Sequence, residues 1–233
     1  MEGGTLPGRG CSLLDMSKPQ LPLPGSVPPS LNGNKTMKIG IIACGAIVRE
    51  MIAIAKNQAW DFELTAIPAQ LHNYPNKIPA AVEIKLDAWA DKFDFILVGY
   101  GDCGTVGALD TLIARYSHVV RVPGPHCYEF YGGAVFDQHN DDYPGTFYLT
   151  DFLARHFDGL VWKGLGLERH PELKEMYFGN YTHVLYLKQL PEQDETQRAQ
   201  AAAKRLGVQY TESAPTLNVL EERILELIQV HLG

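Results

Sequence analysis

The sequence predicts an α/β fold with a mostly parallel sheet and helices on both faces. Three observations carry this expectation. Apolar runs rich in β-branched residues alternate with amphipathic helical stretches from Met37 onward. The runs are short and continuous, as expected of strands buried on both faces. Strand–helix alternation, in turn, implies right-handed crossovers between parallel strands. Together they describe a Rossmann-like sheet of about seven strands.

The elements follow in order. "MKIGIIA" reads as the first strand, and "AIVREMIAIAKNQ", apolar at three- and four-residue spacing, as a helix. "FELTAIPA" is a second strand, followed by the polar loop "QLHNYPNK" and the helical "IPAAVEIKLDAWADK". "FDFILVGY" and "HVVRVP" are the third and fourth strands, separated by the helix "TVGALDTLIARY". "CYEFYGGAVFDQH" is a helix with a glycine pair inside it, and "NDDYPG" is a turn. "TFYLT" and "THVLYLKQL" read as strands with helical segments between them. In "PEQDETQRAQAAAKRLG", an early proline, acidic residues at the start, basic residues at the end and a closing glycine mark a helix. "VQYTES" is the seventh strand, and the amphipathic "TLNVLEERILELIQVHL" closes the fold.

Residues 1–36 are rich in Pro, Gly and Ser and lack an apolar signal core, so they read as a disordered extension. Residues 37–233 then form one α/β metal-binding domain, or two Rossmann-like halves meeting near 140–146. A net charge of −7 leaves no basic footprint for nucleic acid. No apolar run approaches the roughly 20 residues that span a bilayer. A cytoplasmic chain acting on a small molecule is the expectation, and a homo-oligomer stays open.

Four cysteines are present, with Cys11 in the extension. An odd set of three in the folded part, without a signal peptide, suits a reducing compartment. Cys44 follows "MKIGIIA", Cys103 comes just after "FDFILVGY", and Cys127 follows "HVVRVPGPH". Each therefore sits at a strand's carboxyl end before a helix, where ligands bind in such sheets. Helix N-termini lower a thiol's pKa and favour the metal-ligating thiolate. Three such thiolates suit Zn²⁺ or a [4Fe–4S] cluster with one position open. Candidates to fill or serve that position are His126, Asp102 and Glu129. His126 and Cys127 do not both reach one ion unless the loop turns, and Glu129, one helical turn on, could orient His126. Inert core thiols and a single reactive cysteine are the alternative readings.

Gly99, Gly101 and Gly104 match the dinucleotide fingerprint, a candidate cofactor-binding loop between a strand and a helix. The next strand, however, ends in Val122, Pro123 and Gly124, without the carboxylate that holds a ribose. Tyr128, Phe130, Tyr131, Tyr148 and Phe152 line a pocket or fill the core. Asp151 is an acid–base candidate or a helix cap, and Lys188 is an anion site or a surface lysine. His72, His139, His156, His170 and His183 show no metal-ligand spacing.

The combination "IIACGAI…GYGDCG…PGPHCYEFYGG" resembles the family called domain of unknown function 1638, from about Met37 to the last helix. The resemblance implies bacterial and methanogenic relatives encoded near corrinoid-dependent methyl-transfer genes, hence one-carbon metabolism and a corrinoid protein as a candidate partner. In arrangement alone, the three cysteines are also similar to enzymes such as quinolinate synthase, whose three α/β units hold one [4Fe–4S] cluster. The expectation is a metal-dependent transferase or lyase. The alternatives are a non-catalytic metal- or corrinoid-associated accessory protein and a nucleotide-binding regulator.

Overall fold

A computed structural model describes residues 30–31 and 35–232. The disorder expected of residues 1–36 falls almost entirely outside them; Ser30–Leu31 and Lys35–Thr36 pair as a short antiparallel ladder.

The first parallel sheet contains β1 (Lys38–Cys44), β2 (Asp61–Ile67), β3 (Phe95–Gly99) and β4 (Val119–Arg121), in the order β2-β1-β3-β4. Central strand β3 is buried at every position, as its continuous apolar run requires. Edge strand β2 is mostly exposed or half-buried. Successive side chains point to opposite faces. Ile39, Ile41, Phe95 and Leu97 therefore meet α1 (Val48–Asn57), while Ile42, Ile96 and Val98 meet α2 (Ile78–Trp89) and α3 (Ala108–Ile113).

The chain then runs through α4 (Cys127–Asp142), which kinks at Gly133. That glycine has φ +47°, a left-handed conformation that other residues avoid. A second parallel sheet follows, with β5 (Thr146–Thr150), β6 (His183–Leu187) and β7 (Gln209–Glu212) in sequential order. Its core includes Leu149, Val184 and Tyr186, covered by α5 (Asp151–Phe157), α6 (Leu173–Phe178) and α7 (Thr196–Leu206). The last helix, α8 (Leu217–Leu232), returns to the first sheet and buries Leu220, Ile224 and Ile228 against its core.

The expectation of one seven-stranded sheet is thus corrected to sheets of four and three strands. Periodicity reveals strands but not their neighbours, and a change of sheet leaves the local pattern intact. The break has a local cause. Strand β4 is only three residues long and ends at Arg121, whose Nη2 donates to Asp110 Oδ2 at 2.8 Å. Pro123 follows. A charged residue and a proline blunt a sheet edge against further pairing. The other differences are small: "QLHNYPNK" forms two 3-10 turns, and α7 begins at Thr196, after the proline and acidic residues expected inside it.

Candidate functional site

The order β2-β1-β3-β4 puts a topological switch point between β1 and β3, where a parallel sheet opens a crevice beyond its carboxyl ends. Cys44 is the last residue of β1, Cys103 lies in the loop after β3, and Cys127 opens α4. Two loops are zipped together at this edge. Asp102 N–H donates to the Gly124 carbonyl at 2.9 Å, and Cys103 N–H to the Pro125 carbonyl at 2.8 Å. Gly101 permits that approach, because a Cβ there would stand 3.1 Å from the Gly124 oxygen and 3.2 Å from the Phe130 ring.

The loop carrying Cys103 is strained. Cys103 and Val106 have φ of +47° and +54°, flanking Gly104 at +84°. Each non-glycine residue in that region costs on the order of 1–2 kcal/mol. Asp102 holds the loop in shape: its carboxylate accepts from Thr105 Oγ1 at 2.8 Å, Gly107 N–H at 2.8 Å and Val106 N–H at 3.1 Å. These bonds keep its pKa below the usual carboxylate value.

Cys103 is buried, and Cys44 and Cys127 are half-buried. Burial pushes Cys103 up to about 11, with Cys44 adding to the rise. It also raises Cys127, where Cys103 and Cys44 reinforce the effect, and raises Cys44 itself. The expected depression by helix N-termini is therefore overturned. Desolvation and mutual repulsion outweigh a dipole that acts only within the first helical turn, and of the three only Cys127 occupies such a turn. Among the described residues, no three His, Cys, Asp or Glu side chains stand together as a preformed metal shell. The chemistry of the donors suits a thiophilic cation, which would supply the positive charge that these thiols lack for ionisation.

Three residues beside the thiols escaped the sequence reading as functional groups. Glu50, in the first turn of α1, is 3% exposed, and its Oε2 has no hydrogen-bond partner. Tyr131 is fully buried on α4, its hydroxyl unpartnered too. The Tyr100 hydroxyl is buried without a well-aligned partner, and it interacts with Cys44, which opposes its ionisation after burial does. Five buried side-chain atoms lack partners among the described residues, and these three interact electrostatically with the thiols. Buried polar groups are normally bonded, so such a concentration is unusual. Burial lifts the Glu50 carboxyl to about 7, with Asp151 a smaller contributor. A glutamate within a helix of apolar period has no signal that separates it from a solvated one.

Asp151 brings the edge of the second sheet close. It is not the cap of α5: Thr150 Oγ1 accepts the capping bond from Leu153 N–H at 3.2 Å. The Asp151 carboxylate accepts from Tyr186 Oη at 2.7 Å, Leu190 N–H at 3.0 Å and Gln189 N–H at 3.3 Å, so it is saturated. Arg155 Nη2 donates to Gln193 Oε1 at 3.0 Å, and Arg49 Nη1 on α1 reaches the same oxygen, tying the two sheet edges together.

The remaining candidates lie elsewhere. His126 is an exposed N-cap residue, and no hydrogen bond joins its side chain to half-buried Glu129 among the described residues. A Cβ at Gly99 would stand 3.3 Å from atoms of Ala43, Ile47 and Met51, and Pro75 lies against Gly104. With Phe130 against Gly101, the chain's own groups occupy the loop where a pyrophosphate would approach. Phe130 and Tyr131 are core residues, while Tyr128 and Tyr148 stack with ring centroids 5.7 Å apart. Phe152 packs on His156 at 4.6 Å. An open cavity of about 420 Å³ lies at the second sheet's carboxyl edge, away from the thiols. Lys188 on its wall is paired with Glu212 at 3.0 Å. Among the described residues, no helix is long and apolar enough to cross a membrane.

No curated protein and no solved structure matches the chain. A family model described as "Protein of unknown function (DUF1638)" covers residues 66–224, a span that includes Cys103 and Cys127 and begins after Cys44 and Glu50. The chain belongs to that family.

Proposed function

We propose that the chain is a metal-dependent enzyme in which Cys44, Cys103 and Cys127 hold a zinc ion or an iron–sulfur cluster that acts on a small molecule. The observation that carries this reading is that three cysteines follow three separate strands at one sheet edge beside a switch point, Cys103 buried and Cys44 and Cys127 half-buried. Thiols whose ionisation is opposed by desolvation suit a cation that takes them as thiolates. Three protein ligands leave a fourth position for substrate, the usual form of a catalytic site. Bound there, the metal supplies Lewis acidity or activates a thiolate for group transfer, with methyl transfer as the one-carbon case. The unpartnered hydroxyls and carboxyl beside the thiols favour turnover over passive storage, because a storage site has no use for them.

Anaerobic purification with metal analysis and an absorption spectrum tests the reading. Stoichiometric zinc in colourless protein, or iron with a band near ~400 nm, is the expected result, lost in each single Cys→Ser variant. Purified chain that takes up neither metal, and whose Cys→Ser variants behave as wild type, would refute it.

A further inference from the structure

Glu50 and Tyr131 are both more than nine-tenths buried, each with an unpartnered polar atom. Tyr131 lies in the core cluster that also holds Ile47 and Ile54, the residues one turn before and after Glu50, with Cys44 and Cys127 packed against it, and Glu50 is the largest charge opposing Tyr131 ionisation. Two such orphans cost about 1–3 kcal/mol each when nothing bonds them. We infer that Glu50 and Tyr131 form a polar subsite beside the thiols, which takes the hydrogen-bond-donating end of a small molecule carrying no negative charge. The inference rests on the proposed metal centre for what the molecule's other end meets.

The chemistry of the wall sets the class. The free Glu50 oxygen offers an acceptor, and the Tyr131 hydroxyl can donate or accept. An anionic group would face Glu50 and Asp151 together. The nearest cations are already committed, Arg49 to Gln193 and Arg155 to Glu195 and Gln193. A hydroxyl or ammonium group satisfies the carboxyl without such repulsion. A site built around buried polar atoms also discriminates strongly against ligands that leave those atoms unpaired.

The test uses the full chain loaded with Co²⁺ and four small thiols that differ at the far end: 2-mercaptoethanol, cysteamine, ethanethiol and mercaptoacetate. Binding is read from the cobalt visible bands. In wild type, the hydroxyl and ammonium compounds should bind at least about tenfold more tightly than the methyl and carboxylate ones. Glu50→Gln and Tyr131→Phe should each reduce that preference to about twofold or less. Equal or tighter binding of mercaptoacetate, or a preference that survives both substitutions, would overturn the subsite. A wild-type chain with no thiolate–cobalt charge-transfer band overturns the metal reading instead. The subsite is then judged on the metal-free chain. A higher unfolding midpoint with 2-aminoethanol than with acetate, absent in Glu50→Gln, supports it; equal midpoints overturn it.

Discussion

The carboxyl of Glu50 makes the stability of the metal-free fold depend on pH in a calculable way. Burial holds its folded pKa at about 7, against an ordinary 4.5. The folded chain thus keeps a proton that the unfolded chain releases, and the protonated acid is the form the fold accommodates. Its contribution is fully present below pH 4.5, falls as the pH rises, and is gone above about 7. The whole span is worth about 3 kcal/mol, of which about 2.5 kcal/mol falls between pH 5 and pH 8. Glu50→Gln replaces the acid with an amide of the same shape that does not titrate. Relative to wild type, the variant should therefore gain about 2.5 kcal/mol on going from pH 5 to pH 8. Urea unfolding of both chains, stripped of metal, at several pH values measures this. A gap constant to within about 0.5 kcal/mol would show that Glu50 is solvated or paired, and the description of the buried wall would fall with it.

Tyr131→Phe removes an unpartnered buried hydroxyl and should stabilise the metal-free chain by about 1 kcal/mol in urea unfolding, whereas a loss would reveal a partner for that hydroxyl. Cys103→Gly should be about 1 kcal/mol more stable than Cys103→Ala, because only glycine relieves a φ of +47°; equal melting temperatures would deny the strain. Asp102→Ala breaks three loop bonds and should cost about 1–3 kcal/mol, with faster hydrogen exchange at Val106 and Gly107 as the local sign. Gly101→Ala forces a methyl against the Gly124 carbonyl and should cost about 1–3 kcal/mol, an effect absent if the two loops are not zipped.

Most of the fold was legible because local pattern is what strands and helices obey. The buried run "FDFILVGY" and the acidic-to-basic helix before Gly207 needed no tertiary information. The partition into two sheets was illegible, because it depends on which edge a strand joins, and Arg121 with Pro123 closes that edge in a way that no period records. The placement of the cysteines at strand ends could be read from the same alternation. Their protonation could not, since the dipole of a helix start is a local property and desolvation is set by packing from α1, α4 and β3 together. Glu50 shows the limit most clearly. In the letters it is one more charged residue in "IVREMIAIAK", and only tertiary packing turns it into a buried acid. Asp102 shows the converse: its letters suggested a reactive carboxylate, and three nearby donors make it a loop clasp.

The return of α8 to the first sheet gives the site an order of assembly. During synthesis, the strands that carry the cysteines emerge early, yet Leu220, Ile224 and Ile228, which seal the core beneath Cys44 and Cys127, emerge last. The three-stranded sheet, which has its own core, is complete by then. The core beneath the thiol edge therefore closes only after nearly the whole chain is made. Nascent chains arrested before α8 should accordingly label faster at Cys127 than the finished protein, in which that residue is half-buried.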